Sequence, residues 1–117
     1  MKPLRVVVLH EDGRREVQEI DRATELHTMQ QLVGGWVQAI GYGDVVYWCD
    51  EEGKYKPHEV NQVATAHCVK ELAKTGHVMM PGDYLSGTVV ITGRADARGN
   101  AIDVPAWVID ELLDNRS

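Results

Sequence analysis

The sequence predicts an α+β fold, one domain over residues 1–117 with a mainly antiparallel mixed sheet of five to six strands and three helices. Three observations carry this. Short β-branched or alternating runs fall at residues 4–9, 15–20, 36–40, 45–49 and 87–92, each of strand length and flanked by turn-forming residues. Residues 23–33, 59–74 and 104–114 instead place apolar side chains at helical spacing. A chain of 117 residues, 44% hydrophobic and 26% charged, is one domain's worth and too apolar for wholesale disorder.

The elements follow in order. Residues 4–9 (Leu-Arg-Val-Val-Val-Leu) read as a buried strand, Asp12-Gly13 as a turn, and the alternating 15–20 as its hairpin partner. In 23–33, Leu26, Met29, Leu32 and Val33 make an apolar stripe, with Asp21 or Thr24 as cap. Gly34-Gly35 ends this helix, because glycine takes the left-handed conformation that a helix terminus often needs. Trp36 to Ile40 and Val45 to Cys49 form a second hairpin around Gly41-Tyr42-Gly43-Asp44. The second helix, 59–74, carries Asn61, Ala64, Thr65, Cys68, Val69 and Leu72 at helical spacing and stops at Gly76. Residues 77–83 read as loop with room for a short edge strand. Gly87 to Thr92 is a strong strand. In the last helix Asp103 caps and Pro105 sits in the first turn, where its missing N–H is harmless. The helices are expected on one face of the sheet.

The formal charge is −6 with a pI near 5.2, and the 12 basic residues do not cluster. A phosphate-backbone footprint needs a basic patch, so direct nucleic-acid binding is not expected. Two cysteines, Cys49 and Cys68, make no disulfide framework. No signal peptide is visible and no segment reaches the roughly 20 apolar residues that span a bilayer. These readings together place the chain in the cytoplasm with reduced thiols and no membrane partner.

Several segments occur in a recognisable order. Leu32-Val33-Gly34-Gly35-Trp36-Val37-Gln38 is a helix–Gly-Gly–aromatic–strand signature, followed by Glu51-Glu52-Gly53-Lys54, by Asn61 with Ala64-Thr65, and by Leu85-Ser86-Gly87-Thr88-Val89-Val90-Ile91-Thr92-Gly93. This order resembles the family called domain of unknown function 3846, small proteins of bacteriophages, plasmids and their bacterial hosts. The resemblance covers roughly residues 4–93 and leaves the last helix outside it. The family more often carries tyrosine and glutamate where this chain has Trp36 and Gln38. What the resemblance implies is an origin in mobile elements, most plausibly a phage, and no mechanism.

No catalytic set is legible. Cys49, His58, His67 and Cys68 match no zinc spacing, with no Cys-x-x-Cys and no His-x-x-x-His. Cys68 lies on the apolar helix face and His67 one position off it, toward solvent, so no metal and no cofactor is assigned. Ser86 and Ser117 are the only serines, and Ser86 lies outside any nucleophile-elbow pattern. Asp50, Glu51, Glu52 and Glu59 surround Lys54 and Lys56 and read as a charged turn. Phosphate-cradling glycine loops are absent. With no Phe in the chain, some of Trp36, Tyr42, Tyr47 and Trp48 must fill the core, and the others are free to anchor a ligand or partner.

Composition and resemblance together lead to an expected function: a non-enzymatic phage or mobile-element accessory protein that binds a host protein in host takeover or counter-defence. The alternative is a small-ligand or nucleotide-signal sequestering protein with an aromatic pocket, or an acidic nucleic-acid mimic; an enzyme comes last. The residues expected to bind are Trp36, Gln38, Trp48, Glu51, Glu52, Lys54, His58 and Asn61. The broad apolar face of the last helix, with Trp107, Val108 and Leu112, either packs into the domain or forms a homodimer contact.

Overall fold

The computed structural model describes residues 2–53, 58–76, 83–98 and 100–113. Five strands, β1 (Leu4–Leu9), β2 (Arg15–Ile20), β3 (Val37–Tyr42), β4 (Val45–Asp50) and β5 (Val89–Gly93), form one sheet in the order β2-β1-β5-β4-β3. All four pairings are antiparallel, so the parallel component expected of a mixed sheet is not found among the described residues. β1–β2 and β3–β4 are the two expected hairpins, and β5 joins them through the middle. The second hairpin turns on Gly43-Asp44 alone, because Tyr42 pairs with Val45 and still belongs to the strand.

Three helices cover the sheet: α1 (Glu25–Val33), α2 (Gln62–Lys74) and α3 (Ala106–Leu113). They do not share a face. Strand residues alternate sides, and Leu4, Val6, Val8 and Val90 pack with Met29 and Val33 of α1. On the opposite side Val7, Leu9, Val45, Tyr47, Val89 and Ile91 pack with Ala64, Cys68 and Leu72 of α2 and with Val108 and Leu112 of α3. One-sided packing is therefore corrected to two cores. The uninterrupted apolar run Val6-Val7-Val8, fully buried at every position, requires a cover on both faces.

The helix ends are set by local chemistry. The Asp21 carboxylate accepts from Ala23 N at the 3₁₀ turn that leads into α1. Gly34 ends α1 at φ +86°, in the left-handed region, with its N–H on Gln30 O at 2.9 Å. Leu26, expected on the apolar stripe, is 58% exposed. Asn61 is not inside α2 but caps it, with Oδ1 accepting from Ala64 N at 3.0 Å. α3 starts later than expected, and Asp103 uses its carboxylate on Arg5 N at 2.8 Å, tying the preceding loop to β1. The expected loop and edge strand at 77–82 lie outside the described residues. No helix among the described residues is long and apolar enough to cross a membrane.

A semi-enclosed acidic cleft as candidate functional site

β3 and β4 leave the sheet edge with Gln38, Ile40 and Tyr42 on the same side as Tyr47 and Cys49. α2 lies over this side, and the segment Asp83–Ser86 closes it. Between them is a cleft of about 300 Å³. Its walls are Gln38, Ile40 and Tyr42 from β3, Cys49 and Asp50 from β4, Glu51 and Gly53 from the turn, Cys68 from α2, and Asp83, Tyr84, Leu85 and Ser86.

Each wall is fixed by backbone pairing. Ser86 bridges Val60, Asn61 N donates to Leu85 O at 2.8 Å, and Gly87 N donates to Glu59 O at 2.9 Å. The Thr65 hydroxyl accepts from Leu85 N at 3.0 Å, so α2 grips the same segment. Glu51 N donates to Trp36 O at 2.8 Å, holding the far end of β4.

Asp50 is the anchor of the floor. Its side chain is 1% exposed. One carboxylate oxygen accepts from Glu52 N at 2.9 Å and the other meets His58 Nε2 at 3.1 Å. His58 stands behind Asp50, outside the cleft wall, and its ring lies on Gly87: a Cβ there would come within 3.1 Å of the imidazole. Gly87 also sits at φ +73°, where side chains are strained. With both carboxylate oxygens hydrogen-bonded, the buried Asp50 side chain is held firmly in place.

The thiols do not read as nucleophiles. Cys49 and Cys68 are both buried. Burial, with Asp83 adding to it, pushes the Cys68 thiol up to about 11, so it stays protonated and inert at neutral pH. Burial likewise raises Tyr42, keeping its phenol a hydrogen-bond donor. The described lining contains three carboxylates, Asp50, Glu51 and Asp83, two tyrosines, and no Lys or Arg. The described lining is therefore acidic.

The family model described as Domain of unknown function (DUF3846) matches residues 1–116. The chain belongs to this family. The match runs through α3, so the last helix is part of the DUF3846 domain and not an addition beyond residue 93. No curated protein and no solved structure matches the chain.

Of the residues expected to bind in this DUF3846 domain, the fold brings Gln38 and Glu51 to the cleft and puts His58 behind its floor. Trp48 and Asn61 are engaged inside the fold, and Trp36 and Glu52 lie outside the cleft. Trp48 lies on the opposite face under α1, its indole N–H donating to Thr92 Oγ1 at 2.9 Å. Trp36 precedes β3, is 68% exposed, and lines a separate shallow depression with Gln30, Gly35 and Glu52. Asn61 is 1% exposed, with both amide protons donated to Leu9 O and Gly87 O; a ligand finds no free donor there. Lys54 lies outside the described residues. Val108 and Leu112 are buried inside the chain and Trp107 packs against the same core. Val108 and Leu112 therefore pack into the domain.

Sequence reasoning missed Asp83, Tyr84 and Ser86 as lining residues, named Tyr42 only within a group of aromatics, and treated Asp50 as part of a solvated turn. Strand parity carried a signal for Tyr42, which alternates in phase with Gln38 and Ile40. Asp83 to Ser86 carry none, because their placement rests on hydrogen bonds to Asn61 and Thr65 from a distant segment.

Proposed function

We propose that this protein binds a small organic cation in the acidic cleft and does not turn it over. The observation that carries the reading is the lining itself: Glu51 and Asp83 with the rings of Tyr42 and Tyr84 around one semi-enclosed space floored by Asp50. Carboxylates neutralise an ammonium or guanidinium group, and tyrosine faces add cation–π attraction. A volume of about 300 Å³ suits a compact ligand, at the lower end of the range for small-molecule pockets. This keeps the small-ligand alternative and changes its charge class, since a nucleotide would bring phosphate against carboxylates.

Protein docking has less support in the geometry. The exposed apolar residues Val17, Leu26, Trp36, Val60, Val69 and Ile102 sit on six separate segments of the chain. An acidic mimic of nucleic acid also has less support, because Arg5, Arg14, Arg22, Lys70 and Lys74 each pair with a carboxylate. The setting in a phage or other mobile element, and hence in a host bacterial cytoplasm, rests on the family resemblance.

Thermal-shift screening with putrescine, spermidine and agmatine against a panel of nucleotides tests the reading. A ligand at a hundred times its dissociation constant stabilises by about 2.7 kcal/mol. The amines are expected to raise the melting temperature and the nucleotides to leave it unchanged. A response to nucleotides alone would overturn it.

A further inference from the structure

Next to Cys68 on α2, His67 is 4% exposed and its side chain 2%. Its Nδ1 meets the Tyr47 hydroxyl at 2.6 Å. Its Nε2 is buried and has no hydrogen-bond partner among the described residues. One helical turn on, at the i,i+4 position of the same face, is Glu71, itself 4% exposed. Glu111 of α3 completes the group, 3.8 Å from Nε2. One ligand atom from each of the three lies within 4.8 Å of the others. Sequence reading placed His67 toward solvent and assigned no metal; α3 covers it instead, with Trp107 stacked on the imidazole at 6.2 Å.

We infer that His67, Glu71 and Glu111 form a binding site for a divalent first-row transition cation of the zinc class. Buried polar atoms without partners are rare and need a reason, and a metal ion on Nε2 supplies one. With the ring proton on Nδ1, His67 donates to the Tyr47 hydroxyl at 2.6 Å and leaves the Nε2 lone pair free for a cation, the arrangement that orients metal-bound histidines elsewhere. One nitrogen and two carboxylate oxygens leave an open coordination position. That mixed set favours zinc-like ions over magnesium or calcium, which take oxygen alone.

Access and closure are both available. His67 and Glu111 line an open depression with Arg15, Gln62 and Lys70. Ligand atoms in a tetrahedral zinc site stand about 3.3 Å apart, so the group closes by a rotamer change of Glu111, which is 29% exposed. The competing charges are the ammonium groups of Lys70, paired with Glu111, and of Lys74, on Glu71 at 2.8 Å. Both lysine side chains are half exposed and swing into solvent when the cation enters.

The test is a zinc titration of the chelator-stripped full chain against a chromophoric competitor, repeated with cobalt to read visible d–d absorption. One equivalent is expected to bind, with cobalt bands and partial quenching of tryptophan fluorescence through Trp107. Glu111→Gln, at a partly exposed position that keeps the fold, is expected to weaken zinc more than about tenfold, as loss of metal-site groups does. Lys70→Met, which removes a competitor, is expected to tighten it. His58→Ala, far from the group, is expected to leave it unchanged, while magnesium and calcium give no saturable signal. Absence of saturable zinc binding, or binding unchanged in Glu111→Gln, would overturn the site.

Discussion

Asn61 caps α2 through Oδ1 while its amide donates to the carbonyls of Leu9 and Gly87, so one buried side chain joins helix, sheet and cleft wall. Asn61→Ala removes the cap and strands two buried acceptors, and is expected to lower the unfolding free energy by about 3 kcal/mol in urea titrations. Periodicity in the sequence placed Asn61 on the helix face, because a cap precedes the first turn at the same spacing; only the structure separates the two roles. Glu16 works at the surface. Its carboxylate is held below the usual value first by the hydrogen bond to His10, at 2.6 Å, and then by Gln18. The folded state therefore binds its proton more weakly than the unfolded chain. The resulting stability is present above pH 4.5 and is lost as pH falls through the lower folded value. Glu16→Gln is expected to flatten that acid limb slightly in pH-dependent denaturation, since the group is exposed.

α3 shows what an element-scale reading can and cannot deliver. Its apolar arc was plain in Trp107, Val108, Leu112 and Leu113, but a wide arc fits a core and a dimer contact equally well. The structure buries Val108 and Leu112 against the sheet and α2. Leu112→Ala is expected to cost about 3 kcal/mol by leaving a cavity, with a denaturation midpoint that does not move with protein concentration. A midpoint that rises with concentration would return the helix to an interface role. The five strands were all legible from short apolar or alternating runs, and Gly34 was legible as the stop of α1. The two-sided cover was also written in Val6-Val7-Val8, because a strand with no polar alternation has no solvent face. At the cleft wall, Gly87→Ala places a methyl against His58 at a left-handed backbone position. It is expected to destabilise by about 1–2 kcal/mol and to loosen the His58–Asp50 pair, which circular dichroism melts together with ligand titration would register.

At the scale of the whole molecule, the fold converts a scattered acidic composition into one acidic cleft. Glu51 and Asp83 join Asp50 around the cleft, with no Lys or Arg in its described lining. Net charge alone gave moderate acidity and no location. Gln38 and Glu51 were legible as candidates because they flank the hairpin that carries the family signature. Tyr84 and Ser86 were not, since they reach the cleft by pairing across more than twenty residues of chain. The most direct measurement is calorimetric titration of the full chain with spermidine, alongside Glu51→Gln and Asp83→Asn. One saturable equivalent, weakened about tenfold or more in either variant by loss of a charge pair, is the predicted result. No saturable heat, or the same affinity in both variants, would contradict the assignment of the cleft as a cation site.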